Sequence, residues 1–149
     1  METIIQKRIG CYAIIIEGNK IALVKKAGGG YKGKYDLPGG GMDHGELPIE
    51  TLHRECMEEI GCEVEHEELF CVHAVNIKWQ IKENLIEDLH HIGILYKVIL
   101  KTKELKSEAD GLDSLGAKWI DIEDLTEETT SPFTWYALNA ARTGFVDGI

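Results

Sequence analysis

Between residues 39 and 61 the chain passes from three consecutive glycines, Gly39 to Gly41, into a stretch of helical periodicity crowded with glutamates. From about Leu47 to Ile60 apolar residues recur at Ile49, Leu52, Cys56 and Ile60, while Pro48 suits a first helical turn and Gly61 suits the stop. At about 100° per residue, Glu55, Glu58 and Glu59 fall on one arc flanking that apolar stripe. Like charges three and four residues apart cost roughly 0.2–0.5 kcal/mol per pair on an exposed helix, so the arc is a local liability unless something relieves it. A hard divalent cation would do so. Oxygen ligands of this type suit Mg²⁺ or Mn²⁺, which keep several waters and take further ligands from substrate phosphates. The plainer reading is a solvated acidic face, and the helix alone does not choose between the two.

The rest of the chain predicts a mixed fold around this helix. Two β-branched, apolar runs, residues 8–17 and 20–27, flank Gly18-Asn19, a hairpin signal. A glycine-rich loop at residues 28–33 and a short extended piece at 35–37 lead to Pro38 and the glycines. Two further strands are expected within residues 68–79 and 90–100, joined by a polar, acidic connection and followed by a loop over 101–114. Residues 117–122 read as a strand and 123–128 as a short helical turn. Ser131-Pro132 then opens a helix through about Arg142, with Gly144 beyond it. With no internal repeat or linker, the expected architecture is one domain over residues 1–149, an α/β (α+β) sandwich with a central mixed sheet and two main helices.

Charge narrows the partners. The 26 acidic residues outweigh 16 basic ones, a net charge of −10, and no basic tract with interleaved aromatics is present to track a nucleic-acid backbone. A polynucleotide substrate is therefore disfavoured. A small phosphate-bearing molecule is not, because a bound cation reverses the local potential of an acidic pocket. No apolar stretch approaches the roughly 18 residues of a membrane span, and no basic-then-apolar segment follows Met1, so the expectation is a cytoplasmic protein without a membrane partner. Cys11, Cys56, Cys62 and Cys71 form no CxxC pair and read as reduced core residues.

The spacing around the helix is specific. Gly40-Gly-Met-Asp-His-Gly-Glu46 is followed, after seven residues, by Arg54-Glu55-Cys56-Met57-Glu58-Glu59-Ile60-Gly61-Cys62. This resembles the Nudix box, with all seven fixed positions matched; a chance match anywhere in a Glu-rich chain is on the order of 10⁻⁵. The preceding Tyr35-Asp36-Leu37-Pro38-Gly39 also resembles that family's approach to the box. Cys56 and Cys62 stand where the family usually has aliphatic residues, positions that cysteine fills as a small hydrophobe.

The resemblance implies a Nudix-like α/β/α sandwich and a Mg²⁺-dependent hydrolase, with Mn²⁺ as the alternative metal, that cuts a diphosphate bond in a small nucleotide-derived substrate. It implies Glu58 and Glu59 as metal ligands, Glu55 as ligand or activator of water, the Gly39 carbonyl as a further oxygen ligand and Arg54 as the residue orienting the carboxylates. A plain helix salt bridge from Arg54 to Glu58 is compatible with that role. Glu46 reads as structural, an acid at the positive helix N-terminus. The family often carries a further acid six residues before a tryptophan that opens a late strand. Asp113 stands six before Trp119 and competes with Glu55 as general base; Glu108 and Asp110 are its rivals.

Weaker signals concern the substrate. Gly40 and Gly41, next to the helix, suit close backbone approach to phosphate. Trp79 and Phe133 are candidates to stack on a base, against the commoner role of aromatics as core. His44, His90 and His91 show no convincing metal-ligand spacing. The substrate branch is not assignable from these residues. Two other readings stay open: a catalytically inactive Nudix-fold nucleotide sensor, and an interaction protein that offers its acidic surface to a basic partner. Symmetric pairs being the commonest oligomers, a homodimer is the base-rate assembly.

Overall fold

The computed structural model describes residues 1–108 and 114–145, and its first strand, β1 (Glu2–Ile14), sets the layering. Successive side chains of a strand point to opposite faces. Cys11 and Ala13 therefore enter one buried cluster, beneath the first helix, while Tyr12 and Ile14 enter a second cluster beneath the other helix. The strand β3 (Lys20–Lys26) divides likewise, with Ala22 and Val24 on the first side and Ile21 and Leu23 on the second. Strands apolar on both faces are what a layer between two helices requires.

Two four-stranded sheets make that layer. In the first, β1 lies between β5 (Gly39–Gly41), paired antiparallel, and β7 (Leu85–Leu100), paired parallel; β6 (Val64–Lys82) closes it antiparallel to β7. In the second, β3 pairs antiparallel with β2 (Ile16–Glu17), β4 (Tyr35–Asp36) and β8 (Ser114–Asp121). The expected mixed sheet and two helices are present.

Several boundaries differ from the sequence expectation. The first strand begins at Glu2 rather than near residue 8, and the β6–β7 hairpin absorbs nearly all of the polar connection expected between residues 79 and 90. That stretch reads as loop because of its charges. Each of its backbones nevertheless finds a neighbour: β6 pairs with β7, which pairs in turn with residues 2–14 of β1. Only Glu83-Asn84 turns, with Asn84 at φ 64°. The residues 28–33 contain a 3₁₀ turn (Gly29–Tyr31), and the expected helical turn at 123–128 shrinks to a 3₁₀ turn (Ile122–Asp124).

The helix α1 (Pro48–Ile60) follows the expected bounds. Glu50 reaches back to accept from the Leu47 amide at 2.8 Å, and Gly61 stops the helix at φ 69°. Leu52, Cys56 and Ile60 are buried, but Ile49 is 46% exposed, so the apolar stripe is one residue shorter than its periodicity suggested. The second helix, α2 (Pro132–Arg142), starts as expected: the Ser131 hydroxyl accepts from the Thr134 amide at 3.3 Å. All four cysteines are free, three of them buried. No helix among the described residues is long and apolar enough to cross a membrane.

Candidate functional site

A cleft of about 760 Å³ opens beside β1, between the acidic flank of α1 and the glycine strand β5. Glu55, Glu58 and Glu59 line it together with Gly39, Gly40 and Gly41, so the helix arc and the glycines expected from sequence do meet. The three carboxylates differ in setting. Glu59 is buried, and its Oε1 accepts from the Gly39 amide at 2.8 Å while Lys26 Nζ stands 4.0 Å from Oε2. Glu55 is half-buried, and Glu58 is 57% exposed.

Arg54 ties this acidic set to the loop before the helix. Its Nε and Nη2 donate to the two oxygens of Glu46, at 2.8 and 2.9 Å. Its Nη1 donates to Glu55 Oε1 at 2.8 Å and to Glu58 Oε2 at 3.3 Å, and Nη2 also reaches the Gly41 carbonyl at 3.1 Å. A planar guanidinium with fixed donors suits this work, because each bond constrains the direction of the others. Glu46 is completed by the Asp43 amide and the Thr51 hydroxyl, both at 2.8 Å. The Arg54 hydrogen bonds, with that of the Asp43 amide, bring the Glu46 carboxyl down to about 2. Arg54 itself is held above its ordinary range, first by Glu46.

Two glycines fit the cleft by what they lack. At Gly40 a Cβ would stand 2.6 Å from the Glu55 carboxylate carbon, and at Gly39, whose φ is 145°, it would collide with the Cys11 carbonyl. The first glycine leaves the Glu55 head its space; the second lets β5 lie flat against β1.

The rest of the lining comes from residues to which the sequence reading gave no role in the site. Lys7, Arg8 and Lys26 bring positive charge, and Tyr12, Tyr31, Asp36 and His91 line the cleft beside them. The His91 ring is fixed at both nitrogens, Nε2 to the Tyr12 hydroxyl at 2.7 Å and Nδ1 to the Tyr31 hydroxyl at 2.8 Å. Burial, helped by the charges of Arg8 and Lys26, lowers its pKa to about 4, so the ring is neutral. A neutral imidazole has one N–H, hence one tyrosine donates to the ring and the other accepts from it. Period-two alternation puts Arg8 and Tyr12 on one face of β1, which was legible; nothing local announces His91, whose place is set by pairing with β1 across most of the sequence.

Neither of the two candidate stacking aromatics lines the cleft. Phe133 is wholly buried, its ring against Tyr12 and His91, and presents no face to a ligand. Trp79 is not among the residues lining the cleft; its Nε1 donates to Glu87 at 2.7 Å and its ring packs by Gly30. Phe133 does what large aromatics most often do, which is pack, while Trp79 stays half-buried. Asp113 and Asp110 lie outside the described residues. Among the described residues no three carboxylate, imidazole or thiol groups are already drawn together as a metal cage.

The NUDIX domain model matches residues 6–140. The chain belongs to the Nudix family. The solved MutT Nudix hydrolase from Burkholderia pseudomallei superposes on this Nudix chain with a TM-score of 0.71 and 26% identity, over 89% of this chain and 96% of that one. The MutT protein from Methanosarcina mazei Go1 gives a TM-score of 0.68 at 20% identity, over 93% and 94%, a likeness of fold. Among curated proteins, RNA pyrophosphohydrolase of Helicobacter pylori (strain G27) is 57% identical over 30 residues, 20% of this chain and 19% of that protein. The human 8-oxo-dGDP phosphatase NUDT18 is 33% identical over 73 residues, 46% of this chain and 23% of that protein. These matches span about a fifth of the curated relatives' length, so they speak for the shared domain rather than for a substrate.

Proposed function

We propose that this Nudix chain is a hydrolase of a diphosphate linkage in a small nucleotide-derived molecule, a nucleoside diphosphate joined to another group, such as a nucleoside triphosphate or a nucleotide sugar. The carrying observation is the two-signed cleft, lined both by the glutamates of α1 and by Lys7, Arg8 and Lys26, with Lys26 Nζ 4.0 Å from Glu59 Oε2. A diphosphate is the ligand that such a pairing suits. Its oxygens can accept from the ammonium and guanidinium groups, and Glu55, Glu58 and Glu59 would hold a divalent cation to neutralise the remaining charge.

The donor set fits Mg²⁺, or Mn²⁺ in its place. Glu55, Glu58, Glu59 and the Gly39 carbonyl are all oxygen donors, and the imidazole that lines the cleft, His91, has both nitrogens engaged by Tyr12 and Tyr31. The lack of a ready-made cage is compatible, since Mg²⁺ commonly takes one or two carboxylates and completes its shell with water and substrate phosphate. When bound, the metal neutralises charge on the diphosphate oxygens and acidifies an attacking water. Lys26 and Arg8 bind and orient the phosphates. Arg54 keeps the Glu55 and Glu58 heads directed while Gly40 leaves room for Glu55. Glu55 takes the proton of the attacking water as the new P–O bond forms and the bridging oxygen leaves with the departing phosphate. Asp113 is the rival base.

A screen of diphosphate-containing metabolites with Mg²⁺, scored by phosphate released after a coupling phosphatase, tests the proposal. Turnover of at least one substrate, lost in Glu55→Gln, is the expected result; loss in Asp113→Asn with Glu55→Gln active would transfer the proton step to Asp113. Tight nucleotide binding without turnover would mean a sensing module, and indifference to Mg²⁺ in both binding and turnover would mean an interaction protein.

A further inference from the structure

The outer edge of β1 ahead of β5 is open. β5 covers β1 only at Gly10, Cys11 and Tyr12, while residues 2–8 pair on their other side with β7. Of residues 1–9 all but Ile4 are exposed, and Ile5 is 83% exposed. The direction of the free backbone groups follows from two bonds. The Ile9 carbonyl accepts from the Met42 amide at 3.1 Å on the outer side, whereas the Glu2 amide donates to the Asn84 carbonyl on the β7 side. Because orientation alternates along a strand, Thr3, Ile5 and Lys7 aim their N–H and C=O groups outward, where no partner is present among the described residues. A run of unpaired groups beside an exposed isoleucine is a template for another strand.

We propose that this edge is the interface of a homodimer, in which β1 of one copy pairs antiparallel with β1 of a second copy about a two-fold axis at Ile5. Three features select that register. An axis at an odd residue makes Thr3 with Lys7, Ile5 with Ile5 and Lys7 with Thr3 the hydrogen-bonded pairs, each exchanging both bonds, so every outward group is used. The same register sets Glu2 of each copy opposite Arg8 of the other, and opposite charges directly across a ladder are stabilising. An axis at Lys7 would instead oppose two lysines, and one at Thr3 would lose the Glu2–Arg8 pairing. A two-fold contact must be complementary to itself, and the segment Glu-Thr-Ile-Ile-Gln-Lys-Arg is so about its centre. The pairing also touches the cleft, which Lys7 and Arg8 line, because it seats Glu2 of the second copy against Arg8.

Sedimentation equilibrium of the full chain at low and high micromolar concentration tests this, with the variants Ile5→Lys, Ile5→Pro, Glu2→Arg and the double variant Glu2→Arg, Arg8→Glu. Ile5→Pro removes an N–H that faces outward, a place where an edge strand tolerates proline. We expect the parent chain at twice its own mass, both Ile5 variants at the single-chain mass, and a dissociation constant about tenfold higher for Glu2→Arg that returns towards the parent value in the double variant. If the Ile5 variants lose their folded circular-dichroism spectrum, the Glu2 and Arg8 comparison decides alone, since Glu2 is exposed. A parent chain that stays single at high concentration overturns the proposal, as does a dimer indifferent to all these changes.

Discussion

Arg54 grips Glu46 through two nearly equal contacts, Nε to Oε2 at 2.8 Å and Nη2 to Oε1 at 2.9 Å, so a residue in the middle of α1 is fastened to the loop that precedes it. The pair gives a pH signature. With its folded pKa near 2, against an ordinary value of 4.5, Glu46 binds fewer protons in the folded chain than in the unfolded one between those values. Its contribution is therefore complete above about pH 4.5 and fades as pH falls towards 2. Glu46→Gln should unfold at lower urea than the parent at pH 7, and the difference should close progressively below pH 4.5. Equal midpoints at pH 7 would show that the ion pair adds nothing measurable.

Gly40→Ala isolates the placing of Glu55. The added methyl would stand 2.6 Å from the carboxylate carbon, at a backbone conformation that alanine tolerates, so the side chain of Glu55 must give way. If Glu55 serves the reaction, a displacement of about 1 Å costs on the order of 10²-fold in kcat, with little change in melting temperature. Steady-state kinetics alongside a thermal melt check it, and unchanged kcat would remove Glu55 from the chemistry.

The sequence made α1 legible almost residue by residue, because its signals are local: Pro48 at one end, Gly61 at the other, and an apolar period between. Ser131 announced α2 in the same way. The far ends of β6 and β7 were not legible, since residues 80–88 are mostly polar and, apart from the turn at Glu83-Asn84, become strand by pairing with each other and with β1, which is distant in the chain. The site divides along the same line. Its acidic residues come from one helix with its preceding loop and could be read as a motif. The basic residues and His91 are assembled from β1, β3 and β7, so no spacing within any one of these strands reveals the set. Trp79 and Phe133 were attractive as aromatics, but composition does not tell a stacking ring from a packed one.

Magnesium should stabilise the folded chain if the glutamates hold it. A metal that binds only the folded state at one hundred times its dissociation constant adds about 2.7 kcal/mol. Glu58 is the cleaner probe, being exposed and bonded among the described residues to Arg54, so Glu58→Gln should keep the metal-free melting temperature and lose much of the shift. Glu59→Gln should lower both, because Glu59 is buried and also accepts from the Gly39 amide. Calorimetry with and without Mg²⁺ reads the two variants; a full shift in both would exclude these carboxylates as ligands.

His91 should make stability fall in mild acid, over a window distinct from that of Glu46. Its folded pKa is near 4 against an ordinary 6.5, because the ring is buried and stands in the field of Arg8 and Lys26. Between those values the unfolded chain takes up a proton that the folded chain refuses, so stability rises with pH there and falls as pH drops from 6.5 to 4. At about 1.4 kcal/mol per pKa unit the loss over the window is on the order of 3 kcal/mol. Protonation would also make both ring nitrogens donors, so the tyrosine that had been donating to the ring would have to turn its proton elsewhere. His91→Gln should be less stable than the parent at pH 7.5, having lost the two tyrosine contacts, yet flatter with pH, so the two curves should converge as pH approaches 4. Urea midpoints taken across that range test the assignment, and an equally steep acid fall in the variant would place the titrating group elsewhere.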